Sequence, residues 1–301
     1  MMNKEFLINR IVNFLIKRNY RTFVCDGCFD IAARNDLLLL IKVLINVDGL
    51  DQEQAKSLKA ISYFLSAFPF VVSMKNNREF LNERIVYSRF EIPVMTPKAF
   101  EEFIEGEIFC LNSAKGRHTI EIDNIKLRKK RKELNLTLEQ FSKLIGITKK
   151  ALYEIEKKRV NPTLKTVEKI EMLVNENIRK PYKLREVSPI HLKARNGFEK
   201  TVSEELYRIG FDNTPVYSAP FRIVGKEKFS LIANLLKNMH GIKREVYKFR
   251  TLSSMFSSKF IFFAKEFEEK NIEGVPVISE PELFEIESAK EFSKLIQEKT
   301  S

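Results

Sequence analysis

Two groups of residues have types and spacings that could do chemistry. Near the start, Phe29-Asp30-Ile31 sits on one apolar run and Leu40-Ile41-Lys42 on the next. A carboxylate on one strand facing a lysine on its neighbour makes either a salt bridge at a sheet edge or part of a hydrolytic centre. In the middle of the chain, Lys149, Lys150, Tyr153 and Glu154 follow Thr148 within two helical turns. They combine donors, an acceptor and an aromatic ring, which is equipment for reading base edges in a groove. Three cysteines, Cys25, Cys28 and Cys110, are too few for a secreted disulfide scaffold. Cys25 and Cys28 flank Asp26-Gly27, a two-residue turn signal, and are expected to close that turn from opposite strands. Packing of the turn, a redox-linked pair and half of a shared metal site all fit a lone Cys-x-x-Cys. His118, His191 and His240 are isolated and suggest no ligand set.

The central residues need a scaffold, and the segment Ile125 to Val174 supplies its signals. Thr137 with Gln140 three residues on is a capping box that starts a helix. Leu138, Phe141, Leu144 and Ile145 recur at helical spacing and are expected to face inward; Gly146 ends the helix at a left-handed turn. Thr148 caps the next helix, whose Ala151, Leu152 and Ile155 point to the core and leave Lys149, Lys150, Tyr153 and Glu154 outside. Asn161-Pro162-Thr163 then starts a further helix. In these residues the chain resembles the helix-turn-helix of the lambda-repressor, Cro and Xre type. The resemblance implies base reading by Lys149, Lys150, Tyr153 and Glu154. It also implies phosphate contacts from Thr137, Arg159, Asn161 and Thr163, and an ion pair between Arg131 and Glu156. Leu138 departs from the pattern, since a polar side chain is common there.

Charge placement agrees. The chain of 301 residues carries a formal charge of +12, and from Lys115 to Arg185 there are 20 basic against 9 acidic residues. A basic domain between nearly neutral flanks is the footprint of a nucleic-acid binder, because neutralised phosphates release counterions. The longest apolar run, Leu37 to Ile41, is far too short to span a bilayer, and a soluble, cytoplasmic protein is expected.

The flanks repeat each other. Phe29-Asp30-Ile31 and Leu39 to Leu44 align at constant offset with Phe221-Arg222-Ile223 and Leu231 to Leu236, and Ile92-Pro93-Val94-Met95-Thr96 resembles Val275-Pro276-Val277-Ile278-Ser279. Around Asp30 and Lys42 the chain resembles restriction-endonuclease-like and junction-resolvase-like nucleases. Those enzymes place a second acid two residues before the lysine, where this chain has Leu40. In the second copy Arg222 and Asn234 stand for Asp30 and Lys42. The expectation is a nuclease-like scaffold without catalysis, with Asp30 and Lys42 as a salt bridge at a sheet edge. In the order of its parts the whole chain resembles an archaeal family of helix-turn-helix transcriptional regulators.

The expected architecture is an α+β multidomain protein: an α+β domain at 1–113, the all-α reader at 114–181, a linker from Pro181 to Pro189, and a degenerate repeat of the first domain at 190–301. The expected function is sequence-specific binding of an operator in double-stranded DNA and regulation of transcription, as a homodimer, without metal or cofactor. A metal-dependent nuclease and an antitoxin-like or sensor protein that regulates its own promoter are the competing readings. No Gly-rich phosphate loop is present, and the sequence points to no particular small-molecule or protein effector.

Overall fold

The computed structural model describes residues 3–83, 86–106, 111–114, 117–180, 184–236 and 242–300. Cys110, the Lys115-Gly116 pair, the first residues of the Pro181 linker and His240 lie outside them. Helix α1 (Lys4–Lys17) begins where the Asn3 side chain accepts the Phe6 N–H at 2.8 Å, and it buries Leu7, Ile11 and Leu15. Strands β1 (Arg21–Val24), β2 (Ile31–Arg34) and β3 (Leu38–Asn46) form an antiparallel meander. The first six residues of β3 are buried on both faces, as its unbroken apolar run requires. Helix α2 (Gln52–Phe64) is capped by Asp51 and leads to β4 (Phe68–Lys75), β5 (Tyr87–Arg89) and β6 (Ile92–Met95). Thr96 then caps α3 (Pro97–Ile104), with Pro97 in the first turn where no N–H is needed.

A hairpin of β7 (Leu111–Ala114) and β8 (Arg117–Ile120) precedes four helices, α4 (Asn124–Glu133), α5 (Leu138–Ile145), α6 (Lys149–Glu156) and α7 (Leu164–Val174). The chain then returns to the first pattern with α8 (Gly197–Arg208), β9 (Asp212–Pro215), β10 (Ile223–Lys226), β11 (Ser230–Leu236), α9 (Ile242–Phe256), β12 (Ser258–Ala264), β13 (Asn271–Ile272), β14 (Val275–Ser279), α10 (Glu280–Glu285) and α11 (Ala289–Thr300). The two six-stranded sheets have the same strand order, β1-β2-β3-β4-β6-β5 and β9-β10-β11-β12-β14-β13. Details repeat as well: Asn3 and Asn196 cap the first helix of each copy, and a serine with φ of 51°, Ser66 or Ser257, follows the second helix.

The chain divides into two compact units, one of Met1–Leu44, Asp48–Val71 and Arg185–Ser301, the other of Ile45–Val47 and Val72–Leu184. Inside the first, equivalent parts of the two copies meet reciprocally: α2 packs on β10 and α9 on β1. Phe29 and Phe221, the matching residues of the two copies, both set their rings edge-on to Phe256, at 6.4 and 6.3 Å. The Tyr217 N–H donates to Ser57 Oγ at 3.0 Å. Gly27 is required at this junction, because a Cβ there would lie 2.1 Å from the carbonyl oxygen of Ser218, which also accepts the Cys28 N–H. One expectation is corrected at the same turn. The pairing of β1 with β2 continues to Cys25, whose N–H donates to Asp30 O at 3.0 Å, so Cys28 lies within a four-residue loop and does not face Cys25 across a two-residue turn. Both thiols are free, and burial pushes Cys25 up and Cys28 up to about 12.

Candidate nucleic-acid interface

The second unit holds the reader around Ile120, Leu127, Phe141, Ile145, Leu152, Ile155, Val167 and Ile170, all buried. Three of its helix starts are capped by threonine. Thr137 Oγ1 accepts the Gln140 N–H at 3.2 Å while Gln140 Oε1 accepts the Thr137 N–H at 2.9 Å, closing the capping box. Thr148 Oγ1 accepts from Ala151 N–H at 3.1 Å and Thr163 Oγ1 from Thr166 N–H at 3.3 Å. Gly146 ends α5 with φ of 72°, and the short turn Gly146-Ile147-Thr148 re-aims the chain into α6. Leu144 is a correction: it is 61% exposed. The buried face of α5 is Phe141, Ser142 and Ile145, and at about 100° per residue Leu144 lies roughly a quarter turn off its centre.

Lys149, Lys150 and Tyr153 stand exposed along one side of α6, while Leu152 and Ile155 fill the core. Glu154 is half-buried, and its carboxylate accepts from Arg159 Nη1 at 3.4 Å. The Arg159 guanidinium lies 5.9 Å and the Lys157 ammonium 5.8 Å from the Tyr153 ring centre, within cation–π range. Arg159 is thus tied to two of the four expected base readers, an arrangement that sequence spacing did not reveal. Asn161 is half-buried, and Thr137 and Thr163 are exposed at helix N-termini, where N–H groups and the helix dipole favour phosphate. Arg131 makes a bidentate pair with Glu156, Nε to Oε1 at 2.6 Å and Nη2 to Oε2 at 3.0 Å, and its third donor reaches Leu136 O at 2.8 Å. Two further clamps had no sequence signal: Glu176 joins Lys126 at 2.8 Å and Lys130 at 2.7 Å, and Glu171 holds Arg179 at 2.7 Å. Hydrogen bonds from Lys126 and Lys130 hold the Glu176 carboxyl down at about 2.

The other chemical group is not the expected salt bridge at a sheet edge, because β2 and β3 each have a strand on both sides; Asp30 is the centre of a buried knot. Its Oδ1 meets Lys4 Nζ at 2.8 Å and Lys42 Nζ at 3.3 Å, and its Oδ2 accepts the Val43 N–H at 2.7 Å. Lys42 also donates to Gly27 O at 2.5 Å, and Leu40 is fully buried. Burial works to lower Lys4, but the hydrogen bond and charge of Asp30 outweigh it and raise it. Lys4 lies 26 positions away in sequence, too far for any motif to announce it. A magnesium ion at a nuclease centre needs carboxylates in fixed geometry. This donor set does not fit one: a single carboxylate has both oxygens engaged, and the neighbouring place is aliphatic. Among the described residues no three His, Cys, Asp or Glu side chains gather for a metal, and no helix is long and apolar enough to cross a membrane.

Comparison with known proteins finds a family for each of these two regions. Residues 4–108 match the PD-(D/E)XK superfamily domain and residues 127–179 a helix-turn-helix family. A relative from Methanothermobacter thermautotrophicus, named "Putative HTH-type transcriptional regulatory protein", is 30% identical over 99% of this chain and 97% of its own length. Relatives of the same description from Archaeoglobus fulgidus (30%, over 98% of each chain) and Pyrococcus horikoshii (28%, over 99% of this chain and 98% of its own) match as fully. No solved structure gives a significant match. With an Xre-type helix-turn-helix in its second unit and relatives that match it from end to end, the chain belongs to this archaeal family of HTH-type transcriptional regulatory proteins.

Proposed function

We propose that the chain binds a specific operator in double-stranded DNA by laying α6 in the major groove, and regulates transcription there. The observation that carries this reading is the exposed row Lys149, Lys150 and Tyr153 on the first turns of a capped helix, inside the one strongly basic stretch of the chain. Lys149 and Lys150 suit guanine edges, each good contact contributing about 1–3 kcal/mol of discrimination. Glu154, oriented by Arg159, suits a cytosine amine, while Thr137, Asn161 and Thr163 with the backbone N–H groups beside them position phosphates. The functional domains in this reading are 1–113, 114–181 and 190–301. One module reads few base pairs, so two chains bind together on a symmetric site. The surface by which the α+β copies pair is filled within each chain, and the homodimer forms elsewhere. The Asp30 knot is structural in this reading, and the first domain does not cut DNA.

The test is selection of genomic DNA fragments by the full chain with magnesium present, alongside Lys149→Ala/Lys150→Ala. Selected fragments should be retained uncut, by wild type as two chains per fragment, and the variant should keep only weak, salt-sensitive, sequence-blind binding. Equal selectivity in both proteins would remove the reading, and magnesium-dependent cutting lost in Asp30→Asn would replace it with a nuclease.

A further inference from the structure

The second α+β copy carries an opening that has the makings of a ligand site. A cleft of about 790 Å³ lies between the C-terminal end of α9, the start of β12, the β13–β14 turn and the last turns of α11. Its apolar walls are Phe260, Val275, Pro276 and Ile296, and Phe249 stacks behind Phe260 at 4.4 Å with the rings 9° from parallel. The volume is that of a small-molecule site, typically about 300–1,000 Å³.

Its charged lining is of one sign, Arg250 and Lys259. Lys259 is engaged, donating to Ser293 Oγ at 3.0 Å and lying 4.2 Å from the Phe229 ring centre. Arg250 is different. Among the described residues its guanidinium makes no hydrogen bond or ion pair, and it lies so close over Gly274 that a Cβ there would be 2.7 Å from Nη2. Gly274, with φ of 74°, leaves room for it. Ser258 also lines the cleft, and its Oγ is buried without a hydrogen-bond partner among the described residues, an unmet donor that a ligand acceptor would satisfy. With Ser66 and Ser257 aligned, the first copy has Lys59, Tyr63 and Pro69 where the second has Arg250, Ser254 and Phe260. Among the described residues it also has no helix matching α11.

We infer that this cleft binds a small amphipathic monoanion, a single acidic group on an apolar body. The planar guanidinium of Arg250 takes the acidic group in a charge-assisted bond, Ser258 Oγ donates to it, and Phe260, Val275 and Ile296 cover the apolar part. The C-terminus of α9 opposes an anion with about half a unit of negative charge, less than the full charges of Arg250 and Lys259.

A fluorescence titration of the full chain with 1-anilinonaphthalene-8-sulfonate, an anion on an aromatic body, tests the site. Octanoate serves as competitor and octan-1-ol as the neutral control. Enhancement should saturate at one probe per chain, and octanoate should displace it where octan-1-ol does not. Arg250→Gln, an exposed change, should weaken probe binding about tenfold, the loss of one charge-assisted bond. Ser254→Phe should abolish binding by filling the cleft, with thermal melting to verify that both variants fold. Absence of enhancement, displacement by octan-1-ol equal to that by octanoate, or wild-type affinity in Arg250→Gln would each overturn the site, independently of any result on DNA.

Discussion

Arg131 shows how a single side chain ties the reader together. Its side chain is 10% exposed and that of Glu156 6%, so removing one partner strands a nearly buried charge. Breaking such a pair costs about 3–5 kcal/mol. Arg131→Met should therefore lower the unfolding free energy of the helical domain by about 3 kcal/mol, and Arg131→Met with Glu156→Met should recover part of that loss in the same denaturant titration. Equal losses in the single and double variants would deny the pair its role. This pair was legible in the sequence through the helix-turn-helix resemblance. The Asp30 knot was half legible: Asp30 and Lys42 come from adjacent strands, but Lys4 reaches them from another element, and no local spacing encodes that meeting. The two cysteines were misplaced because a turn signal fixes where a chain reverses, while the register of the strands decides which residues then face each other.

At the scale of elements, the capped starts of α5, α6 and α7 follow directly from threonine positions, since a cap is a local hydrogen bond. Leu144 misled because an eight-residue helix packs only a narrow stripe, and apolar spacing does not fix the centre of that stripe. Glu176, just past the end of α7, is clamped to α4 by Lys126 and Lys130. Its folded pKa lies below the ordinary 4.5, at about 2, so its stabilising effect is present in full above the ordinary value and is lost as pH falls through the folded one. Comparing melting temperatures of wild type and Glu176→Gln across this range should show a gap near neutral pH that closes on acidification. A gap unchanged at low pH would mean the carboxylate is not held by its lysines.

For the whole molecule, the internal repeat was visible as a constant offset of apolar motifs, and the two sheets share one strand order. The reciprocal packing of α2 on β10 and α9 on β1 was not visible, because a sequence carries no pattern for which of two similar surfaces meet. In the proposed reading, concentrated charge lets the second unit bind any DNA, and the side chains on α6 make it choose. Guanine-N7 methylation interference on a selected operator, wild type beside Lys150→Ala, separates these contributions most directly. Wild type should be blocked by methylation at a few guanines in the major groove, and Lys150→Ala should lose sensitivity at a subset of them while its phosphate contacts persist. An interference pattern identical in both proteins, or no sensitive guanine at all, would contradict base reading by α6.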